Sequence, residues 1–218
     1  GGSDNYITVP ASNHAGNGTN VASSGDANKI MYISPRTGGL AVGIGYTPST
    51  TNANASPTTG GNAADGGEVI EGVVSFETTM GTSAVQADIA AETRSNDTQA
   101  IRAGLKVSTG GITVGGSIFK RNDESSLRTD AELGGTSDLN SEAYDLGVSY
   151  AMGAYTFGIA KAYGEAQDGD GVDDTESKWS LGMSYAIDTG VTGTLTYIKA
   201  DYDDGSTGGA ADDNSGHA

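Results

Sequence analysis

Cysteine is absent from the 218 residues, so a disulfide framework and a thiolate-held metal are both excluded. Basic side chains are scarce: 11 Lys and Arg stand against 28 Asp and Glu, for a net charge of −17. That balance excludes nucleic-acid binding, which needs a basic footprint. No apolar run reaches the ~18 residues of a membrane-crossing helix, which leaves membrane-crossing strands untouched. The two histidines, His14 and His217, lie near opposite ends in polar, Gly- and Asp-rich sequence, so no Ser-His-Asp arrangement has support. No glycine-rich loop precedes a helix to cradle phosphate, and with 28 acids no single carboxylate pair stands out. The triplets "NGT" (17–19) and "NDT" (96–98) match a glycosylation sequon at the level of chance. An enzyme is not indicated.

Apolar residues are also few, at 35%. One soluble globule of this length would struggle to bury enough apolar area against its backbone entropy. A barrel with a wet interior needs an apolar surface only on its outside.

What is present is alternation. In "YDLGVSYAMGAYTFGIAKAY" (144–163), Tyr144, Leu146, Val148 and Tyr150 share one parity, and Asp145, Gly147 and Ser149 the other. After a break, Tyr155, Phe157 and Ile159 resume it, with Thr156 and Gly158 between. Similar alternation runs through 28–34, 39–47, 68–77, 83–92, 100–107, 111–120, 178–187 and 191–202. About ten strands of ~7–12 residues follow, near the length a tilted strand needs to cross a bilayer. No segment reads as a helix.

Connection lengths alternate too. "PRTG" (35–38), "TTMGT" (78–82), "TG" (109–110), "AMGA" (151–154) and "DTG" (188–190) are tight turns. Between them lie polar stretches at 48–67, 94–98, 122–141, 166–177 and 203–218. Short turns at one rim and longer loops at the other are the bookkeeping of an outer-membrane barrel. Tyr150, Tyr155 and Tyr185 flank short turns, whereas Tyr46, Tyr144, Tyr163, Trp179 and Tyr197 lie toward long loops. Two aromatic girdles result. The opposite parity is small: Gly39, Ala41, Gly43 and Gly45, then Ser180, Gly182, Ser184 and Ala186. The expected fold is therefore all-β, an antiparallel transmembrane β-barrel.

"ANKIMYISPRTGGLAVGIGYTP" (27–48) resembles the general bacterial trimeric porins, through Tyr32, Ser34, Pro35, Gly38, Gly39 and Tyr46. Where that family often carries a base before this Tyr and an acid after it, the chain has Met31 and Ile33. "LGVSYAMG" and "LGMSYAIDTGVTGTLTY" also look like the C-terminal half of such porins, especially alphaproteobacterial ones. The resemblance implies a single sixteen-stranded barrel domain, of which this chain is part. It implies a homotrimer in the outer membrane among lipid and lipopolysaccharide, passing ions and small hydrophilic solutes with no cofactor required. It assigns 1–27, including Asp4, to the infolded pore loop and its lead-in, 28–202 to barrel strands and 203–218 to the last external loop. The chain opens on "GGSDNY" without an initiator Met, and on this count about five strands precede Gly1 and one closing strand follows Ala218.

A porin's chemistry is the field across its constriction. Lys29, Glu71, Asp88, Arg102, Lys106 and Asp145 share the small-residue parity and are the candidate pore-lining charges; Glu92 shares it as well. "DGDGVDD" (168–174) spaces Asp168, Asp170 and Asp174 around Gly171, oxygen ligands that suit calcium at an external acidic loop, although a distal bidentate Glu is missing. Lys161 has the outward parity of Ile159 and Tyr163 and is expected near the outer rim. The competing reading is a secreted or cell-surface β-sandwich, an adhesin or calcium-binding surface protein; a non-porin outer-membrane barrel is a third.

Overall fold

The computed structural model describes residues 28–48, 68–95, 98–123, 140–167, 173–203 and 214–217. Asp4, Asp168 and Asp170 lie outside these residues, as does all of 1–27. The described residues form eleven strands and no helix: β1 (Ile30–Ile33), β2 (Leu40–Thr47), β3 (Val69–Met80), β4 (Ser83–Arg94), β5 (Thr98–Thr109), β6 (Ile112–Asp123), β7 (Ser141–Met152), β8 (Tyr155–Gln167), β9 (Asp173–Asp188), β10 (Val191–Asp203) and β11 (Asn214–His217). They make one sheet in which sequence order is spatial order. Each strand pairs antiparallel with the next, and at the two-residue turns after β3, β5, β7 and β9 no other arrangement is possible.

Those turns form because glycine allows them. Between β5 and β6 only Gly110 and Gly111 intervene, at φ 55° and 85°. Positive φ at both central positions makes a turn whose twist matches that of the strands it joins. The turns after β3, β7 and β9 are equally tight, each with a positive-φ glycine: Gly81, Gly153 and Gly190.

Three details differ from the sequence expectation. β8 runs to Gln167 and β9 starts at Asp173, so most of the stretch taken as a loop at 166–177 is strand. Alternation persists there, but its inward members on β9, Asp174 and Glu176, are charged and mask the apolar signal. Residues 214–217, assigned to the last external loop, return as β11 alongside β10, with Lys199 opposite His217. The strands from β3 to β8 and β10 are 12 or 13 residues long and β9 is 16, exceeding the ~9–11 that a bilayer needs. They project beyond the apolar band on the long-loop side.

Burial is inverted relative to a water-soluble protein. Leu146, Ile89, Ile118 and Leu181 are 56–64% exposed, whereas Glu92, Glu176, Lys178 and Ser180 are 1–7% exposed. Among the described residues, the buried apolar side chains are Val69, Ala90, Ala100, Phe119, Ala143 and Ala160. A continuous apolar face of this size is not kept in water, where exposed patches rarely exceed a few hundred Å². No second sheet covers it among the described residues.

Candidate functional site

The register sorts the side chains into two faces. On the apolar face, Ile118, Tyr144, Tyr163 and Ser177 stand in one cross-strand row. Leu146, Lys161, Trp179 and Lys199 form the row below it toward the short turns, followed by Val148, Ile159, Leu181 and Tyr197. The Tyr144 and Tyr163 rings stack at 5.3 Å, and Tyr46 donates from its hydroxyl to Glu68 Oε1 at 2.8 Å. Near the short turns, Tyr155 and Tyr185 lie 4.6 Å apart and Tyr150 is opposite Phe157. Lys161 sits one row below the Tyr144–Tyr163 stack, its Nζ 5.4 Å from the Trp179 ring centroid. The aromatic face supplies a cation–π partner where water is scarce. Lys199 reaches Asp201 at 2.8 Å, and Lys120 pairs with Glu142 beyond the aromatic row.

The other face holds most of the basic side chains. Of the 11 basic residues, Lys29, Arg36, Arg94, Arg102, Lys106, Arg121 and Lys178 follow its parity or lie across its edge. Several meet an acid on the same face. Arg102 Nη1 donates to Asp88, and Arg94 Nε lies 3.0 Å from Glu92 Oε1. Lys178 pairs with Glu176 on β9. Arg36 folds from the first short turn over the face, with Nη2 3.2 Å from both Glu77 and Ser75.

The Arg102–Asp88 pair has a local cause. Asp88 is directly opposite Gly104, while Arg102 is opposite Ala90, so the two charges meet on a diagonal. A Cβ on Gly104 would lie 2.9 Å from Asp88 Oδ1 and 3.2 Å from Arg102 Nη2. Glycine leaves the space in which the ion pair closes.

Of the expected pore-lining residues, Asp88 and Arg102 are thus in contact. Lys106 is two inward steps further toward the short turn, opposite Gln86 and Gly115. Asp145 accepts a hydrogen bond from the Ser117 hydroxyl, in the row that runs from Ser75 through Asp88, Gly104 and Ser117 to Lys178. Glu71 lies directly opposite Glu92. Lys29 precedes β1 with the parity of Met31. Below the charged rows, Thr113, Gly115, Ser149, Gly158, Gly182 and Thr196 leave a smooth polar trough toward the short turns. Among the described residues no group of three or more metal-ligating side chains gathers; Asp174 Oδ2 accepts from the Tyr202 hydroxyl at 3.0 Å.

Sequence reading missed Arg36, Phe119 and the Glu176–Lys178 pair. Phe119 departs from the small-residue rule: it is inward, 5% exposed, packed with Ala100 and Ala143, with Arg121 5.7 Å from its ring centroid. Its neighbours Ile118 and Lys120, both outward, conceal the parity. Lys178 was legible from its alternation with Trp179 and Leu181, whereas Glu176 is hidden in acidic sequence.

An apolar outer face, a charged inner face and alternating turn lengths describe a wall between lipid and water. The family model described as "Gram-negative porin" matches residues 1–208. The chain belongs to the Gram-negative porin family. That membership puts this porin in the outer membrane. Among solved structures, it is similar to the "anion-selective porin from Comamonas acidovorans", at 20% identity and a TM-score of 0.57, over 87% of this chain and 54% of that one. It also matches OccK9 (OpdG) of Pseudomonas aeruginosa, at 15% identity and TM-score 0.48, over 86% of this chain and 63% of that one. A third is a loop-deleted OmpT, an outer membrane protein of Vibrio cholerae, at 14% identity and TM-score 0.49, covering 87% and 60%. No curated protein matches. The porin chain therefore spans 54–63% of the length of these solved structures. The family membership favours the porin barrel over the surface-adhesin reading.

Proposed function

We propose that the protein carrying this chain is a passive channel for ions and small hydrophilic solutes. The observation that carries this reading is the inverted burial: apolar side chains are exposed on one face while ion pairs and small polar residues gather on the other. Such a face, closed around water, passes hydrated solutes and sorts them by field and width. Arg102, Asp88, Lys106 and Asp145 act in that field, together with Lys29 and Glu71 nearer the long loops. Arg102 has the strongest support, since Gly104 leaves the space for its pair with Asp88. The working form is a homotrimer of sixteen-stranded barrels set in lipopolysaccharide, supported by the resemblance of residues 27–48 to trimeric porins. Blue native electrophoresis of the detergent-solubilised protein tests the trimer.

The full-length protein added to a planar bilayer in KCl is expected to produce stepwise, ohmic conductance increments. Their absence, with the protein inserted, contradicts the channel.

A further inference from the structure

Phe119 is an odd member of a wall built from small and charged residues. Among the described residues, only it and Val69 are larger than alanine in the buried apolar set. It stands on β6 directly opposite Arg102 on β5 and Ala143 on β7. Arg121, the next inward residue of β6, is opposite Ala100. The two alanines leave room for the ring, which packs with both and is 5% exposed. Its face is turned to Arg121, whose guanidinium carbon lies 5.7 Å from the ring centroid.

We propose that Phe119 is a positioning residue for ion selectivity: its ring keeps the Arg121 guanidinium close against the channel wall, so that this charge acts at a fixed place and the water path beside it stays open. The inference rests on the channel reading, since only a conducting path gives the position of Arg121 a consequence. Arg102 and Arg121 are diagonal neighbours on paired strands, ~7–8 Å apart at the backbone, and carry like charges. Each is drawn to a different partner. Asp88, one row nearer the short turns, takes Arg102. The ring of Phe119 takes Arg121, and a weakly hydrated, planar guanidinium suits an aromatic face. Without the ring, a long and rotatable side chain regains its freedom at the edge of the water. Phe119 therefore acts through Arg121 and does not itself meet the solute.

The full-length protein is placed in planar bilayers across a KCl gradient, and the chloride-to-potassium permeability ratio is read from the reversal potential. Phe119→Leu keeps an apolar side chain between the alanines but removes the π face. Its ratio is expected to rise about 2-fold as Arg121 leaves the wall for the water path. Phe119→Tyr keeps the ring and is expected to hold the parent ratio. In an Arg121→Gln background, Phe119→Leu is expected to change nothing. An unchanged ratio in the Leu variant overturns the proposal, and so does a Tyr variant that shifts as far as the Leu variant. An equal rise in the Gln background also overturns it, because Phe119 would then act through packing alone. Should the Leu variant not insert, Phe119→Met is read against the same expectations. A parent without conductance overturns the channel reading itself.

Discussion

Arg102 and Lys161 show what parity alone decides. Both are basic residues in strands, yet one faces a carboxylate across a glycine and the other faces a tryptophan. Replacing Arg102 by Glu places two acids on the diagonal at Gly104. Reversal potentials in a KCl gradient are expected to shift toward cation preference; an unchanged preference would remove Arg102 from the ion path. Lys161 lies six residues up β8 from Tyr155, ~20 Å along the strand, so its ammonium stands within reach of the outer interface but still against a ring. A double-mutant cycle of Lys161→Leu and Trp179→Leu, read by denaturant midpoint, is expected to show coupling of about 0.5–1 kcal/mol. Additive effects would mean that the two side chains merely coincide. The parity of both lysine and arginine was legible in sequence. Their partners were not, because cross-strand contacts, direct for Lys161 and diagonal for Arg102, depend on register, and a slip of one residue would change both.

Strands were the most legible elements wherever large apolar and small residues alternate, as in β2 and β7. Legibility failed where both faces become charged beyond the aromatic rows. Near the long-loop ends of β8 and β9, Glu165, Asp173 and Glu176 look like loop sequence, although they continue the ladder. β11 was missed for a related reason: four small and polar residues carry no amphipathic signal of their own and form a strand through pairing with β10. The turns were clearer, since glycine marks them. Gly111 has φ 85°, and a Cβ there would lie 2.7 Å from the carbonyl oxygen of Ala151, a backbone atom that cannot step aside. Gly111→Ala is expected to cost about 1–2 kcal/mol through the positive φ alone, with the close approach adding to it. The same change at Gly110, at φ 55° with nothing within 4 Å of the added Cβ, is expected to cost less. Thermal unfolding in detergent orders the two; the reverse order would mean that the turn is drawn incorrectly.

For the whole molecule, the fold class was in the sequence because one property repeats along the entire chain: an apolar face and a small or charged face, with turns alternating in length. Which face meets which solvent is not a local property. It emerges when eleven strands lie side by side in order and no other layer covers the apolar side among the described residues. The lack of cysteine in this chain allows a clean test of that orientation. Leu146 and Gly147 are adjacent on β7 and point to opposite faces. Leu146→Cys and Gly147→Cys, each spin-labelled in the full-length protein in liposomes, report collision with membrane-dissolved oxygen and with a water-soluble nickel chelate. The label at 146 is predicted to meet oxygen and that at 147 nickel. Nickel access at 146 with oxygen access at 147, or nickel access at both, would contradict the account.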